Sequence, residues 1–234
     1  MQDLPYFLST CPSDIKNNFV NINFNTFDKI LIQNEIADAV YIVKSGKVKV
    51  YSLTPSGVKY LERTYCENDL FGEVEIFANK PILNFVEAIE PCTTIKISKE
   101  DFLNWIKCDS DFSLYVHTHL SQKMYDASIN NKAIISYTLK DRLLIFLWKI
   151  LNEHNLDTIH KDIIVEGIGS NIRSVNRIIK ELIDKNIIEY NKGFVKVNDI
   201  NTLAREISSS NKSNNLLSNF NEKSGGKLWL IENY

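Results

Sequence analysis

KDIIVEGIGSNIRSVNRIIK, residues 161–180, reads as a helix, a tight turn and a second helix. Ile164, Val165 and Ile168 recur at helical spacing, Gly169 can take the left-handed conformation that ends a helix, and Ser170 or Asn171 can cap the next one. Wound at about 100° per residue, the second helix gathers Ile172, Val175, Ile179, Leu182 and Ile183 on one side and Arg173, Arg177 and Lys180 in a narrow arc opposite. The apolar side is the one to bury, so the basic side faces out, with Asn176 nearer the buried flank. Guanidinium groups in the first turns of a helix, beside short polar residues, suit phosphates and the N7/O6 edge of guanine in a major groove. Ser170, Asn171, Arg173, Ser174, Asn176, Arg177 and Lys180 are therefore the candidate DNA contacts.

Two Arg and a Lys on a surface helix often mean nothing by themselves. The residues downstream give them weight. Ile187, Ile188 and Tyr190, then Asn191-Lys192-Gly193, then Phe194-Val195-Lys196-Val197 form two short strand patterns around a polar Gly-containing turn, the hairpin wing of a winged helix-turn-helix.

Composition is compatible with this reading once it is divided along the chain. The 234 residues carry a net charge of -2, which does not point to a nucleic-acid binder. Residues 1–136, however, hold 13 Lys+Arg against 17 Asp+Glu, residues 137–206 hold 11 against 10, and residues 172–185 hold 4 against 2. The positive field is local, so binding would rest on one helix and its wing. The longest apolar run, residues 143–148, is far shorter than the roughly 18 residues of a membrane span, and the first sixteen residues show no basic segment leading into an apolar core. A soluble cytoplasmic protein is expected, with no membrane partner.

Cys11, Cys66, Cys92 and Cys108 are widely spaced and read as ordinary reduced thiols. His117 and His119 lie about 200° apart on a helix and cannot share a metal from one face, and His154 and His160 read as loop residues. No phosphate loop, H-E-x-x-H or nucleophile elbow is present, so no catalytic residue, metal or cofactor is expected.

Upstream, residues 24–97 alternate in short runs (KILIQ, AVYIVKSGKVKVYSL, VKYLERTY, FVEAIE, TTIKIS) broken at Ser45-Gly46, Pro55-Ser56-Gly57, Asn68-Asp69 and Pro91. About eight antiparallel strands of this kind make a roll or sandwich with an internal cavity. Ser98 then caps a helix through Trp105, and a long helix runs over residues 109–136. Val116, Leu120, Ala127 and Ile134 recur on it at coiled-coil spacing, with Lys123 and Asn130 between them, and form the candidate dimer seam. Residues 141–151 are a further apolar helix. After Ile207 the chain turns Ser/Asn-rich before a short apolar end, KLWLIENY, which is expected to dock on protein surface. The fold class is α+β: a cupin- or jelly-roll-like β-roll (residues 1–108), a dimerisation helix (109–136), a winged helix-turn-helix (137–207) and a tail (208–234).

This order of parts resembles the Crp/Fnr superfamily of bacterial transcription regulators over roughly residues 20–200. The resemblance rests on YIVKSGKVKVY (residues 41–51), NDLFGEVEIF (68–77) and SVNRIIKELIDKNII (174–188). It implies a homodimer on a near-palindromic double-stranded DNA operator, with RNA polymerase as a further partner. It also implies an effector pocket, here Phe71, Gly72, Glu73, Ile82, Leu83, Asn84 and Met124. In members that bind cyclic nucleotides, an Arg-Ser or Arg-Thr follows the Gly-Glu and holds the phosphate. Here the matching stretch is Lys80-Pro81-Ile82-Leu83-Asn84-Phe85, and a buried phosphate without a guanidinium would lose its charge-assisted bonds. Cyclic AMP is therefore not the expected effector; an apolar ligand, a protein partner or a simply filled core are the remaining readings. Iron-sulfur sensing would need clustered cysteines near the N-terminus, where only Cys11 stands. At the DNA face, members that read a G-rich half-site carry Arg-Glu before Thr-Val; here Ile172-Arg173 precede Ser174-Val175 while Arg177 is kept, so the docking is carried over and the half-site sequence is not. An alternative to a regulator is a ligand-sensing or protein-interaction module whose helix-turn-helix has degenerated.

Overall fold

A computed structural model describes residues 3–53, 57–154 and 158–209. The chain divides into two compact units, one of Met1–Ser52 with Glu62–Tyr125, the other of Leu53–Leu61 with Asp126–Tyr234.

The first unit opens with two short helices, α1 (Leu4–Thr10) and α2 (Ser13–Lys16). Asp3 caps α1 by accepting from the Tyr6 N–H at 3.2 Å. Next in the chain are strands β1 (Val20–Phe24), β2 (Lys29–Leu31), β3 (Ala39–Ser45), β4 (Val48–Leu53), β5 (Lys59–Tyr65) and β6 (Leu70–Phe71). Then come helix α3 (Glu73–Ala78), strands β7 (Phe85–Ala88) and β8 (Cys92–Ser98), helix α4 (Lys99–Cys108) and the long helix α5 (Ser110–Ser136), whose residues from Asp126 onward belong to the second unit. The eight strands form two antiparallel sheets, ordered β1-β8-β3-β6 and β2-β7-β4-β5.

Strand β3 shows why this packs. Ala39 to Val43 are all buried because both faces of its sheet are covered. Ala39, Tyr41 and Val43 join Val48, Phe71, Ile82 and Val86 inside the roll, while Val40 and Ile42 meet a helical layer of Leu4, Phe7, Phe102, Trp105, Phe112 and Val116. The β3–β4 turn depends on Gly46, whose φ of 81° is in the left-handed region and whose added Cβ would lie 2.5 Å from the Pro91 carbonyl oxygen. Helix α4 starts at the expected cap: Ser98 Oγ accepts from the Asp101 N–H at 3.0 Å.

The second unit holds helix α6 (Leu139–His154), strand β9 (Thr158–His160), helices α7 (Lys161–Ile168) and α8 (Ile172–Asp184), strands β10 (Ile188–Asn191) and β11 (Phe194–Val197), and helix α9 (Ile200–Ser209). Its sheet is antiparallel, ordered β10-β11-β9. Leu143, Leu144, Leu147 and Ile150 of α6, Ile163, Ile164 and Ile168 of α7, and Leu203 and Ile207 of α9 are buried. The β9 strand and α9 are additions to the elements expected from sequence. His160 is a strand residue and the N-cap of α7, and His154 ends α6, so neither is a loop residue. Gly167 lets α7 approach α6 closely, since a Cβ there would sit 2.3 Å from the Phe146 ring. Residues 54–56 of the expected β4–β5 turn and the apolar end, residues 227–234, lie outside the described residues.

Candidate nucleic-acid interface

Helix α7 ends where Gly169 turns left-handed, at φ 60° and ψ 47°. Asn171 then caps α8, its Oδ1 accepting from the Ser174 N–H at 2.9 Å. Arg142 of α6 reaches this turn from below and donates to the Ile168 carbonyl at 3.1 Å, satisfying one of the acceptors left open at a helix C-terminus. Nothing in the sequence pattern around Arg142 marks it for this role.

On α8 the buried side chains are Val175, Ile178, Ile179 and Leu182. Ile172 and Ile183, expected on the buried side, are each 40% exposed, and Ile178 takes their place in the core. The reason is angular: at about 100° per residue the buried arc runs from Ile178 through Leu182 and Val175 to Ile179, while Ile172 and Ile183 fall beyond Ile179, near the two ends of the helix. Arg173, Arg177 and Lys180 are exposed, as is Asn176, which the sequence had placed toward the core. Among the described residues, no carboxylate forms an ion pair with Arg173, Arg177 or Lys180. The cations behind them are neutralised. Lys140 of α6 bonds Glu181 at 2.8 Å and Glu206 of α9 at 2.6 Å, and Lys185 bonds Glu206 at 2.6 Å. The free positive charge of α8 is thereby confined to the arc that faces out.

The wing is a two-residue hairpin with Asn191 paired to Phe194. Lys192 (φ 46°) and Gly193 (φ 92°) are both left-handed, as a type I′ turn requires. The Lys161 N–H donates to the Gly193 carbonyl at 2.9 Å, which ties the wing tip to the start of α7. The wing surface interleaves cations and rings. Lys161 Nζ stands 5.3 Å from the Tyr190 ring centroid, His160 packs edge-on to Phe194 at 5.1 Å, and Tyr190 and Phe194 are both partly exposed. Lys192 and Lys196 flank them on a shallow groove that also includes Thr158, Glu189 and Asn191.

Of the residues expected to line an effector pocket in the first unit, Phe71 and Ile82 share one buried cluster and the others differ in exposure. Phe71 and Ile82 are buried in the roll core, and Gly72 is left-handed at φ 91°. Leu83 and Met124 are 63% and 71% exposed, and Asn84 is partly exposed. Glu73 is fully buried and bonds Lys123 of α5 at 2.6 Å; Lys123 also donates to the Leu70 carbonyl at 2.8 Å and lies 4.6 Å from the Tyr65 ring centroid. Burial alone would lower the Lys123 pKa, but the facing Tyr65 and Glu73 outweigh it and the value is raised. Nearby, burial and then the Lys123 charge hold the His119 imidazole down at about 4.

Of the candidate seam, Val116 is fully buried in the core of its own chain and is unavailable to a second copy, and Leu120 packs against the same core. Ala127 and Ile134 are exposed.

The two β-roll sheets, the long helix and the wing invite comparison with known proteins. Residues 22–109 match the cyclic nucleotide-binding domain family. The chain is Crp/Fnr-like. It is 27% identical over 184 residues, 74% of this chain and 77% of the relative, to a protein of Porphyra purpurea described as an HTH-type transcriptional regulator. It is 21% identical over 193 residues, 79% of this chain and 86% of the relative, to the CRP-like cAMP-activated global transcriptional regulator of Mycobacterium tuberculosis. Among solved structures, a crp/fnr-family protein of Eubacterium rectale aligns at a TM-score of 0.74 with 16% identity, covering 87% of this chain and 98% of that one. At such identity the last match speaks for the fold of this Crp/Fnr-like chain.

Proposed function

We propose that this chain is a sequence-specific DNA-binding transcription regulator that works as a homodimer in the cytoplasm on a near-palindromic operator, without control by cyclic AMP or cyclic GMP. The observation that carries the reading is the exposed Arg173, Arg177 and Lys180 arc on a capped second helix, beside a type I′ wing bearing Lys192. Two such helices one helical turn of DNA apart would add their contacts. In this reading residues 1–108 form the effector domain, 109–136 the dimer helix and 137–207 the DNA-binding domain, with RNA polymerase a further partner.

Independence from cyclic nucleotides is supported by residues 80–85, which hold no arginine. Leu83 is exposed there and gives its N–H to Glu75 Oε1 at 3.1 Å. This segment itself offers a phosphate no guanidinium.

Mobility shifts with genomic fragments at two salt concentrations, followed by footprinting, test the DNA reading. A discrete protected site with a salt-dependent affinity is expected, and uniform weak binding to every fragment would favour a degenerate helix-turn-helix. Isothermal titration with cyclic AMP and cyclic GMP is expected to show no heat of binding; micromolar affinity for either would overturn the second claim.

A further inference from the structure

Ile172 and Asn176 lie one turn apart on α8, and both are exposed where the sequence had placed them toward the core. At about 100° per residue they stand roughly 40° apart and form one flank of the exposed arc, while Arg173 and Arg177 form the other. From Ile172 to Arg177 the helix rises about 7.5 Å, roughly two base-pair steps of DNA. The two flanks differ in chemistry: one carries two guanidinium groups, the other methyl surface and a carboxamide. Ile172 is 40% exposed at the first position of the helix, just after the cap that Asn171 makes to the Ser174 N–H. Branched at Cβ, isoleucine in a helix keeps essentially one χ1 rotamer, so its methyl groups are presented with little ordering left to lose. Among the described residues, Asn176 makes no side-chain hydrogen bond, although its amide carries two donors and an acceptor.

We propose that Ile172 and Asn176 are specificity-determining residues that read an A·T pair in each half-site, Ile172 packing on the thymine methyl and Asn176 bonding the adenine edge. This rests on the reading of α8 as the DNA-reading helix. In the major groove thymine alone presents a methyl group, and adenine alone presents the N7 acceptor beside the N6 donor. A carboxamide matches that edge, since its oxygen accepts from N6 and its NH2 donates to N7. The guanidinium groups of Arg173 and Arg177 match the two acceptors of guanine instead, so the two flanks divide the half-site between A·T and G·C. Ile172 also acts by exclusion. Packed against a G·C pair it would shut water out from the cytosine N4 or the guanine O6 and offer no hydrogen bond in return.

The test uses the full chain to select sites from random double-stranded DNA, which should return sequences with an invariant T·A pair in each half. Each thymine of the selected site is then replaced in turn by deoxyuridine, which removes the methyl alone, and each adenine by 7-deazaadenine, which removes the N7 acceptor alone. At one thymine the replacement should weaken the wild type about fourfold, the worth of one methyl-sized contact, and leave Ile172→Ala unaffected. Ile172→Thr, which keeps one methyl, should retain part of the sensitivity. At one adenine the replacement should weaken the wild type and leave Asn176→Ala unaffected. Both side chains are exposed, so the variants should keep the wild-type melting temperature. A selected site whose thymine methyls are all dispensable, or whose methyl sensitivity survives in Ile172→Ala, would overturn the proposal and leave the regulator reading in place. Selection of no site at all would overturn both.

Discussion

Arg177 and Lys180 share an exposed arc yet are expected to fail differently when removed. A guanidinium bidentate on a guanine discriminates between bases, so Arg177→Ala should cost about 1–3 kcal/mol on the preferred site and relax preference at one base pair. An ammonium on a phosphate carries no sequence information. Lys180→Ala should weaken all sequences alike and lower the slope of log K against log salt by about one contact. Titrations of matched and scrambled sites at several salt concentrations check both. In the other unit, Lys123→Ala would strand the fully buried Glu73 carboxylate, at a cost of about 3–5 kcal/mol, while Lys123→Met combined with Glu73→Gln should recover most of it. Urea unfolding followed by tryptophan fluorescence measures the two. His119 adds a pH dependence whose sign is fixed by its lowered value. Between 6.5, its ordinary value, and about 4, the unfolded imidazole takes a proton that the folded one refuses. Its contribution is therefore complete above 6.5 and declines as the pH falls through that window. His119→Gln should flatten this part of the stability profile relative to wild type.

At the scale of elements, legibility tracked locality. Helix α8 could be read from its period alone, and the wing from Asn191-Lys192-Gly193, because each is decided by neighbours in sequence. Strand β9 could not. Three residues have no period, and Thr158–His160 becomes a strand only by pairing with β11. Helix α9 did leave a signal that the Ser/Asn-rich run behind it obscured: Asp199 accepts from the Thr202 N–H at 2.9 Å as a cap, and Leu203 and Ile207 supply one buried face. The exposure of Leu83 and Met124 is not legible for the opposite reason, since it depends on tertiary placement. The Lys140, Lys185 and Glu206 bonds hold α9 to α6 and α8, and they draw the Glu206 pKa down and the Lys140 pKa up against the opposing effect of burial. Glu206→Ala should cost on the order of 1 kcal/mol after allowance for solvent screening. Amide exchange should accelerate across residues 200–209 and leave the roll unchanged; equal protection in the variant would mean that Leu203 and Ile207 alone hold the helix.

For the whole molecule, the proposed homodimer turns on which side of α5 would meet a second copy. Val116 and Leu120 are engaged in their own core, so the seam read from the sequence is turned inward over its first half. Counting about 100° per residue, a second stripe lies roughly 100° around the helix from it: Leu114, His117, Ser121, Met124, Ser128, Asn131 and Ile135, whose alternating steps of three and four are those of a heptad. Leu114, Met124 and Ile135 on this stripe are 59%, 71% and 85% exposed, a concentration of apolar surface along one helix face. A symmetric partner would bury it, and the Ser and Asn positions would allow close approach and fix the register. The prediction is that Met124→Glu with Ile135→Glu sediments as a monomer, keeps its roll, and loses at least about a hundredfold in affinity for a palindromic site through the loss of effective concentration, while binding to a single half-site is little changed. Ala127→Glu, on the other flank, should have a much smaller effect. If Ala127→Glu dissociates the dimer and the double variant does not, the sequence-derived seam is the right one and the exposed stripe serves another purpose.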